Sequence, residues 1–112
     1  MVLYMKKYNK QIEFITKDEI HKLTVFLDSH TKNGQIELYG VNNNELFDNF
    51  SISLSETYGE NFSIIKPKYY YTLFEAGVIK AVKEHIHYGT LHTIAYLCEV
   101  NLDKFLDAEL EK

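Results

Sequence analysis

The chain has 112 residues, 46% hydrophobic and 25% charged, which suits one globular core, excludes disorder throughout and leaves no room for separate catalytic and regulatory domains. Twelve Lys and Arg against sixteen Asp and Glu give a formal charge of −4, so the broad basic excess behind non-specific nucleic-acid affinity is missing and nucleic acid is not indicated as a partner. The single cysteine, Cys98, can form no internal disulfide and no cysteine cluster exists to hold zinc, as suits a reducing compartment.

At the N-terminus the two lysines Lys6 and Lys7 follow a short apolar patch, whereas a secretory signal places charge before an apolar run. No stretch approaches the roughly 18 consecutive apolar residues of a membrane span. The expectation is a cytoplasmic protein with no membrane partner. One proline and five glycines provide no linker, and no internal repeat is evident, so residues 1–112 read as a single α+β domain.

In chain order, Leu3, Tyr4, Tyr8, Ile12, Phe14 and Ile15 fit an edge strand or a short helix, and their spacing does not decide between them. Ile20–Leu27 is a β-branched and aromatic mixture that predicts a strand. Asn33-Gly34 is hairpin chemistry, because both residues tolerate positive φ, and Gln35–Tyr39 then alternates with period two. A first hairpin follows. Residues 40–45 read as a polar loop, Phe50–Ser55 as an alternating strand with one wet face, and Phe62–Ile65 as its return in a second hairpin.

Pro67 suits the first turn of a helix, Tyr70, Leu73 and Phe74 recur at helical spacing, and Gly77 stands where the helix would stop. Val78–Tyr88 and Leu91–Val100 then predict a third hairpin around a two-residue Gly89-Thr90 loop, with Lys83-Glu84 leaving helix as an alternative for the first arm. Asn101 is a good N-cap, and Leu102, Phe105, Leu106 and Leu110 give a stripe for a C-terminal helix. The fold class is α+β: an antiparallel sheet built from hairpins, with one central short helix and a C-terminal helix.

Two clusters could carry function. Tyr69, Tyr70 and Tyr71 are consecutive on the predicted helix, where side chains point about 100° apart, so at least one must leave the core. Tyrosine combines a large apolar area with a polar tip and is enriched at binding hot spots, which makes this helix the leading surface for a protein partner or for self-association into a homodimer. The alternative is that two of the rings pack beneath the helix and one lies on its surface. The second cluster is His85, His87 and His92. A Gly89-Thr90 turn would set His87 opposite His92 with His85 on the same face, the makings of a three-histidine site for a divalent metal such as zinc. A cross-strand histidine pair needs no metal, and no acidic residue follows closely enough to orient the imidazoles.

Cys98 lies among Ala95, Tyr96, Leu97 and Val100, an apolar setting that suits packing better than nucleophilic catalysis. A phosphate-binding glycine loop, a zinc-protease helix and a serine elbow are all missing, and no carboxylate pair has a reason to be perturbed. A nucleic-acid role would need a basic strip built from Lys66, Lys68, Lys80 and Lys83.

Asn33–Tyr39, Phe50–Leu54 and Leu73–Ile79, with the Glu75-Ala76-Gly77 helix end, resemble a family of small uncharacterised proteins carried on bacterial phages and conjugative elements. The likeness spans about the last two thirds of the chain. It implies an accessory role on a mobile element, where such small proteins often bind and block a host protein, including a defence protein. It assigns no catalytic residue. The sequence thus points to a non-enzymatic protein-binding module, with a metal-binding protein or metal-dependent enzyme on the histidine hairpin as the alternative.

Overall fold

The computed structural model describes residues 5–29, 36–52 and 61–108. Of the ambiguous N-terminal segment, Leu3 and Tyr4 lie outside the described residues, and the rest forms two strands, β1 (Met5–Tyr8) and β2 (Ile12–Ile15). Both lie along one side of the ten-residue β3 (Ile20–Ser29), β2 against its first half and β1 against its second. Leu23, Val25 and Leu27 of β3 are buried while Lys22, Thr24, Phe26 and Asp28 keep exposure, the period-two pattern of a strand with one face in a core.

On the other side of β3, β4 (Ile36–Asn42) pairs antiparallel, with Phe26 opposite Tyr39 and Asp28 opposite Glu37. This agrees with the first hairpin; its Asn33-Gly34 turn lies outside the described residues. Residues 40–45 are not the polar loop their composition suggests. β4 runs on to Asn42, turns over Asn43 and Asn44, both with positive φ (49° and 67°), and returns as β5 (Glu45–Asn49). Two consecutive left-handed residues make a turn whose twist matches a hairpin, and asparagine tolerates that backbone better than most residues.

Beyond β5 the chain crosses to a second sheet. Phe50 donates its N–H to the Leu38 carbonyl and accepts at its own carbonyl from the Lys66 N–H, at 2.8 and 2.9 Å. Strands β6 (Ser51–Ile52) and β7 (Phe62–Ile65) pair as the second hairpin, and residues 53–60 lie outside the described residues. Phe50 and Ser51 are both buried, so the expected wet face is not seen at this crossing. With β8 (Ile79–Tyr88) and β9 (Thr93–Val100) the second sheet has the order β6-β7-β9-β8, antiparallel throughout.

Between β7 and β8 runs the only α-helix among the described residues, α1 (Pro67–Glu75), with proline in its first turn. Gly77, at φ 81°, ends it: its N–H reaches the Phe74 carbonyl at 3.0 Å and the Val78 N–H reaches Leu73 at 2.9 Å, the paired bonds of a left-handed helix stop. Tyr8 donates its hydroxyl to Ala76 and the Asn101 amide donates to Gly77, tying this helix end to both termini of the described chain.

The expected C-terminal helix does not form. A short 3-10 turn at Leu102–Lys104 leads into β10 (Phe105–Ala108), which pairs with β1, Phe105 opposite Tyr8 and Leu106 opposite Lys7. Phe105 is buried against the Tyr8 ring, 5.2 Å between centroids, whereas Leu106 is mostly exposed, so the two leucines and the phenylalanine are not one helical stripe. The unpaired edge of β1 supplies backbone hydrogen bonds that a marginal helix would have to find alone. Asn101 makes no cap, and Leu110 lies outside the described residues.

The molecule is thus a mixed α+β structure made mainly of two antiparallel sheets, the first ordered β10-β1-β3-β4-β5 with β2 also on β3. The main core lies between the sheets and is closed by the helix: Leu23, Val25 and Leu38 meet Ile65, Cys98 and Val100, with Tyr69 and Leu73. On the far side of the second sheet a smaller cluster gathers Ile64, Ile86, Ala95 and Leu97.

Candidate functional site

The three tyrosines of α1 divide between three environments. Tyr69 points inward and is 3% exposed, packed against Phe50 and Phe14 at 4.7 and 5.0 Å between ring centroids. Its hydroxyl donates to the carboxylate of Asp48. A register shift between Gly40 and Val41 places an extra residue on β5, so that Phe47 and Asp48, consecutive in sequence, both reach the helix side of the sheet.

Asp48 is the hub of this contact. Lys66 and Lys68 each bring Nζ within 3.6 Å of it, and the Asn49 N–H donates to it at 2.8 Å. Burial pushes the Asp48 carboxyl up, but the Tyr69 hydroxyl, Lys66, the Asn49 amide and Lys68 together hold it below the usual carboxylate range. Burial, and then the Asp48 carboxylate itself, push the Tyr69 hydroxyl well above the ordinary tyrosine value. Tyr69 is therefore a buried anchor of the helix and not the partner-facing residue its place in the tyrosine run suggests.

Tyr70 is half-buried. It stacks on Phe74 (5.7 Å, 12°), meets Tyr96 edge-on (5.2 Å, 85°), and accepts at its hydroxyl from the Val82 N–H at 3.1 Å. Val82 sits between two register shifts of β8, where the strand ladder is interrupted, so the tyrosine supplies a partner that the neighbouring strand does not. Tyr71 points outward and is 70% exposed.

Tyr71 does not stand alone. Phe74, three residues on and therefore on the same side of the helix, is 39% exposed, and Ile94, two residues from Tyr96 on the same face of β9, is 44% exposed. Tyr70 and Tyr96 bridge them, and His85 extends the band at 5.1 Å from the Tyr96 ring. The result is a band of aromatic and apolar surface from α1 across β9. Phe74, Ile94 and Tyr96 were not legible as members from their own segments; the signal available was the three-residue spacing of Tyr71 and Phe74.

The three histidines do not converge. Tyr88 pairs with Thr93, so the turn holds four residues, Gly89 to His92, instead of Gly89-Thr90 alone. His87 faces Ile94, His85 faces Tyr96, and His92 lies in the turn at φ 51° with its N–H to the Gly89 carbonyl. The two extra turn residues shift the register and remove the His87–His92 pairing on which a metal site depended. Among the described residues no group of three His, Cys, Asp or Glu side chains is placed to hold a metal ion.

Cys98 is fully buried, and burial pushes its thiol up to about 12, so it is held protonated and packs with the core. The four lysines of the basic strip are otherwise engaged: Lys66 and Lys68 with Asp48, Lys80 with Glu99, and Lys83 over the Phe62 ring. No helix among the described residues is long and apolar enough to cross a membrane. No protein-family model, no curated protein and no solved structure matches the chain.

Proposed function

We propose that this chain is a non-enzymatic protein-binding module whose docking surface is the band of Tyr71, Phe74, Tyr70, Tyr96 and Ile94. The observation that carries this reading is the exposure of Tyr71 and Phe74 on one side of a helix whose other side is anchored by Tyr69 and Asp48. Large aromatic side chains held in place by packing lose little conformational entropy on binding, which is why such residues dominate interface energetics. The partner we propose is a host protein that the module occupies and blocks, in keeping with the likeness to accessory proteins of phages and conjugative elements. The four-residue turn, which sets His87 opposite Ile94, gives the metal alternative no comparable support.

The test is site-specific photo-crosslinking in bacterial cells, with the photoreactive amino acid replacing Tyr71 and, as a control, exposed Lys104. One prevailing protein adduct at position 71, absent at 104 and lost when Phe74→Asp is added, is the expected result. Equal adduct patterns at the two positions would remove this surface from consideration.

A further inference from the structure

The outer face of the first sheet, turned away from the helix and the second sheet, carries a separate apolar surface. Leu23, Val25 and Leu27 point inward, so the alternate residues of β3 face out, and the strand pairings extend that face across the sheet. Ile15 and Ile20 lie opposite each other on it, Leu46 lies opposite Val41, and Leu106 lies opposite Lys7. All four are more than half exposed, and at the centre the Phe26 and Tyr39 rings stack at 5.7 Å and 18°. An antiparallel sheet face that meets only water carries polar side chains at these positions.

Along β3 the outward charges of opposite sign, Asp28 and Lys22, stand toward opposite ends of the strand. Asp28 stands at one end of β3 beside Tyr39, whose hydroxyl is pushed up by burial, by Asp28 and by Glu37. Lys22 stands toward the other end, opposite Glu13 and beside an open depression of about 500 Å³ that Asn42 and Asn43 also line. From Lys22 to Asp28 is six residues, roughly 20 Å of strand.

We propose that this face is the interface of a homodimer in which two first sheets stack with their β3 strands antiparallel. A two-fold axis lying across the strands near Val25 sets Asp28 of each copy over Lys22 of the other and brings Lys7 toward Glu13. Stacking with the strands parallel would instead set Asp28 over Asp28, so the charge pattern selects both the occupant, a second copy, and its orientation. Strand spacing and length give a face of roughly 600 Å² per copy, about 1,200 Å² for the pair, the lower bound of a stable interface. The dimer leaves the band on α1 and β9 free for another protein.

Sedimentation velocity of the full chain over a concentration series tests this. The expected result is a monomer–dimer equilibrium whose dissociation constant rises roughly tenfold in Lys22→Glu and in Asp28→Lys, and returns most of the way in the double charge swap. Leu46→Glu, at a site exposed enough to leave the fold intact by circular dichroism, should weaken the dimer further. A monomer at every concentration overturns the proposal, as does a dimer indifferent to Leu46→Glu but dissociated by Tyr71→Ala, or single charge variants whose defects add in the double swap.

Discussion

A β-carbon placed on Gly40 would stand 2.4 Å from Cζ of Phe50, closer than any real contact of that kind. The end of the Phe50 ring points at the backbone of β4, and it cannot retreat easily because its own backbone is bonded to Leu38 on one side and Lys66 on the other. Glycine is required here by close approach, since Gly40 is not among the residues with positive φ. Gly40→Ala should destabilise the protein by about 1–3 kcal/mol in urea unfolding, the usual cost of overpacking. Pairing it with Phe50→Leu should return part of that loss, because the smaller side chain gives the new methyl room. A Gly40→Ala variant as stable as the parent would mean the crossing between the sheets is far looser than its hydrogen bonds imply.

The Asp48–Tyr69 contact predicts opposite behaviour at the two ends of the pH scale. Asp48 titrates below its unfolded value, so it contributes stability that is present above about pH 4 and lost as pH falls through the depressed folded value. Tyr69 titrates above its unfolded value, so its contribution is present below about pH 10 and lost as pH rises toward the folded value. Asp48→Asn should flatten the acid limb of stability against pH, and Tyr69→Phe the alkaline limb. Each should cost about 1–2 kcal/mol at neutral pH, and the pair should couple in a double-mutant cycle. Additive losses would show that the hydroxyl and carboxylate do not act on each other.

Two buried serines join the sheets. Ser51 accepts at Oγ from the Leu38 N–H at 3.0 Å, and Ser63 donates its hydroxyl to the Ile36 carbonyl at 2.6 Å. Both backbone groups belong to the part of β4 beyond the reach of β5, where the ladder would otherwise end inside the core. Removal of either hydroxyl leaves a buried polar group without that partner, and Ser51→Ala and Ser63→Ala should each cost about 1–3 kcal/mol. Ser51→Ala should be the worse, because a carbonyl has a second lone pair and an amide has one proton. Equal stability of parent and both variants would show that water replaces the hydroxyls.

These serines also show where the sequence was readable and where it was not. Asn49-Phe50-Ser51-Ile52 and Asn61-Phe62-Ser63-Ile64 repeat one pattern, a short internal likeness easily passed over, and its meaning depends on two sheets meeting at β4. Local chemistry was legible: Pro67 and Gly77 mark the ends of the helix, and alternation marks β3. Asn43-Asn44 was readable only in hindsight, because asparagine serves loops and left-handed turns alike. The C-terminal strand was hidden, since Leu102, Phe105 and Leu106 fit a helix until β1, from the other end of the chain, provides an edge to pair with. The tyrosine run told correctly that one ring must be outside, but choosing Tyr71 over Tyr69 required knowing that Asp48 lies beneath the helix. For the histidines a two-residue error in turn length was enough to dissolve the cluster.

Cys98 offers a direct reading of how the core opens. Its thiol lies in β9 between the sheets, fully buried and held protonated by its surroundings, while thiol reagents attack the exposed thiolate. Labelling by a disulfide reagent in native buffer therefore requires the sheets or the helix to separate, and its rate measures that opening. Native protein should react on the order of 10³-fold or more slowly than protein in denaturant, as expected for a domain with at least about 5 kcal/mol of stability. Gly40→Ala and Ser63→Ala should accelerate it in proportion to their loss of stability if Cys98 is exposed only by global unfolding. Fast labelling of the native parent would instead place Cys98 in a unit that opens on its own, and a rate unchanged by Gly40→Ala would separate that unit from the Phe50 crossing.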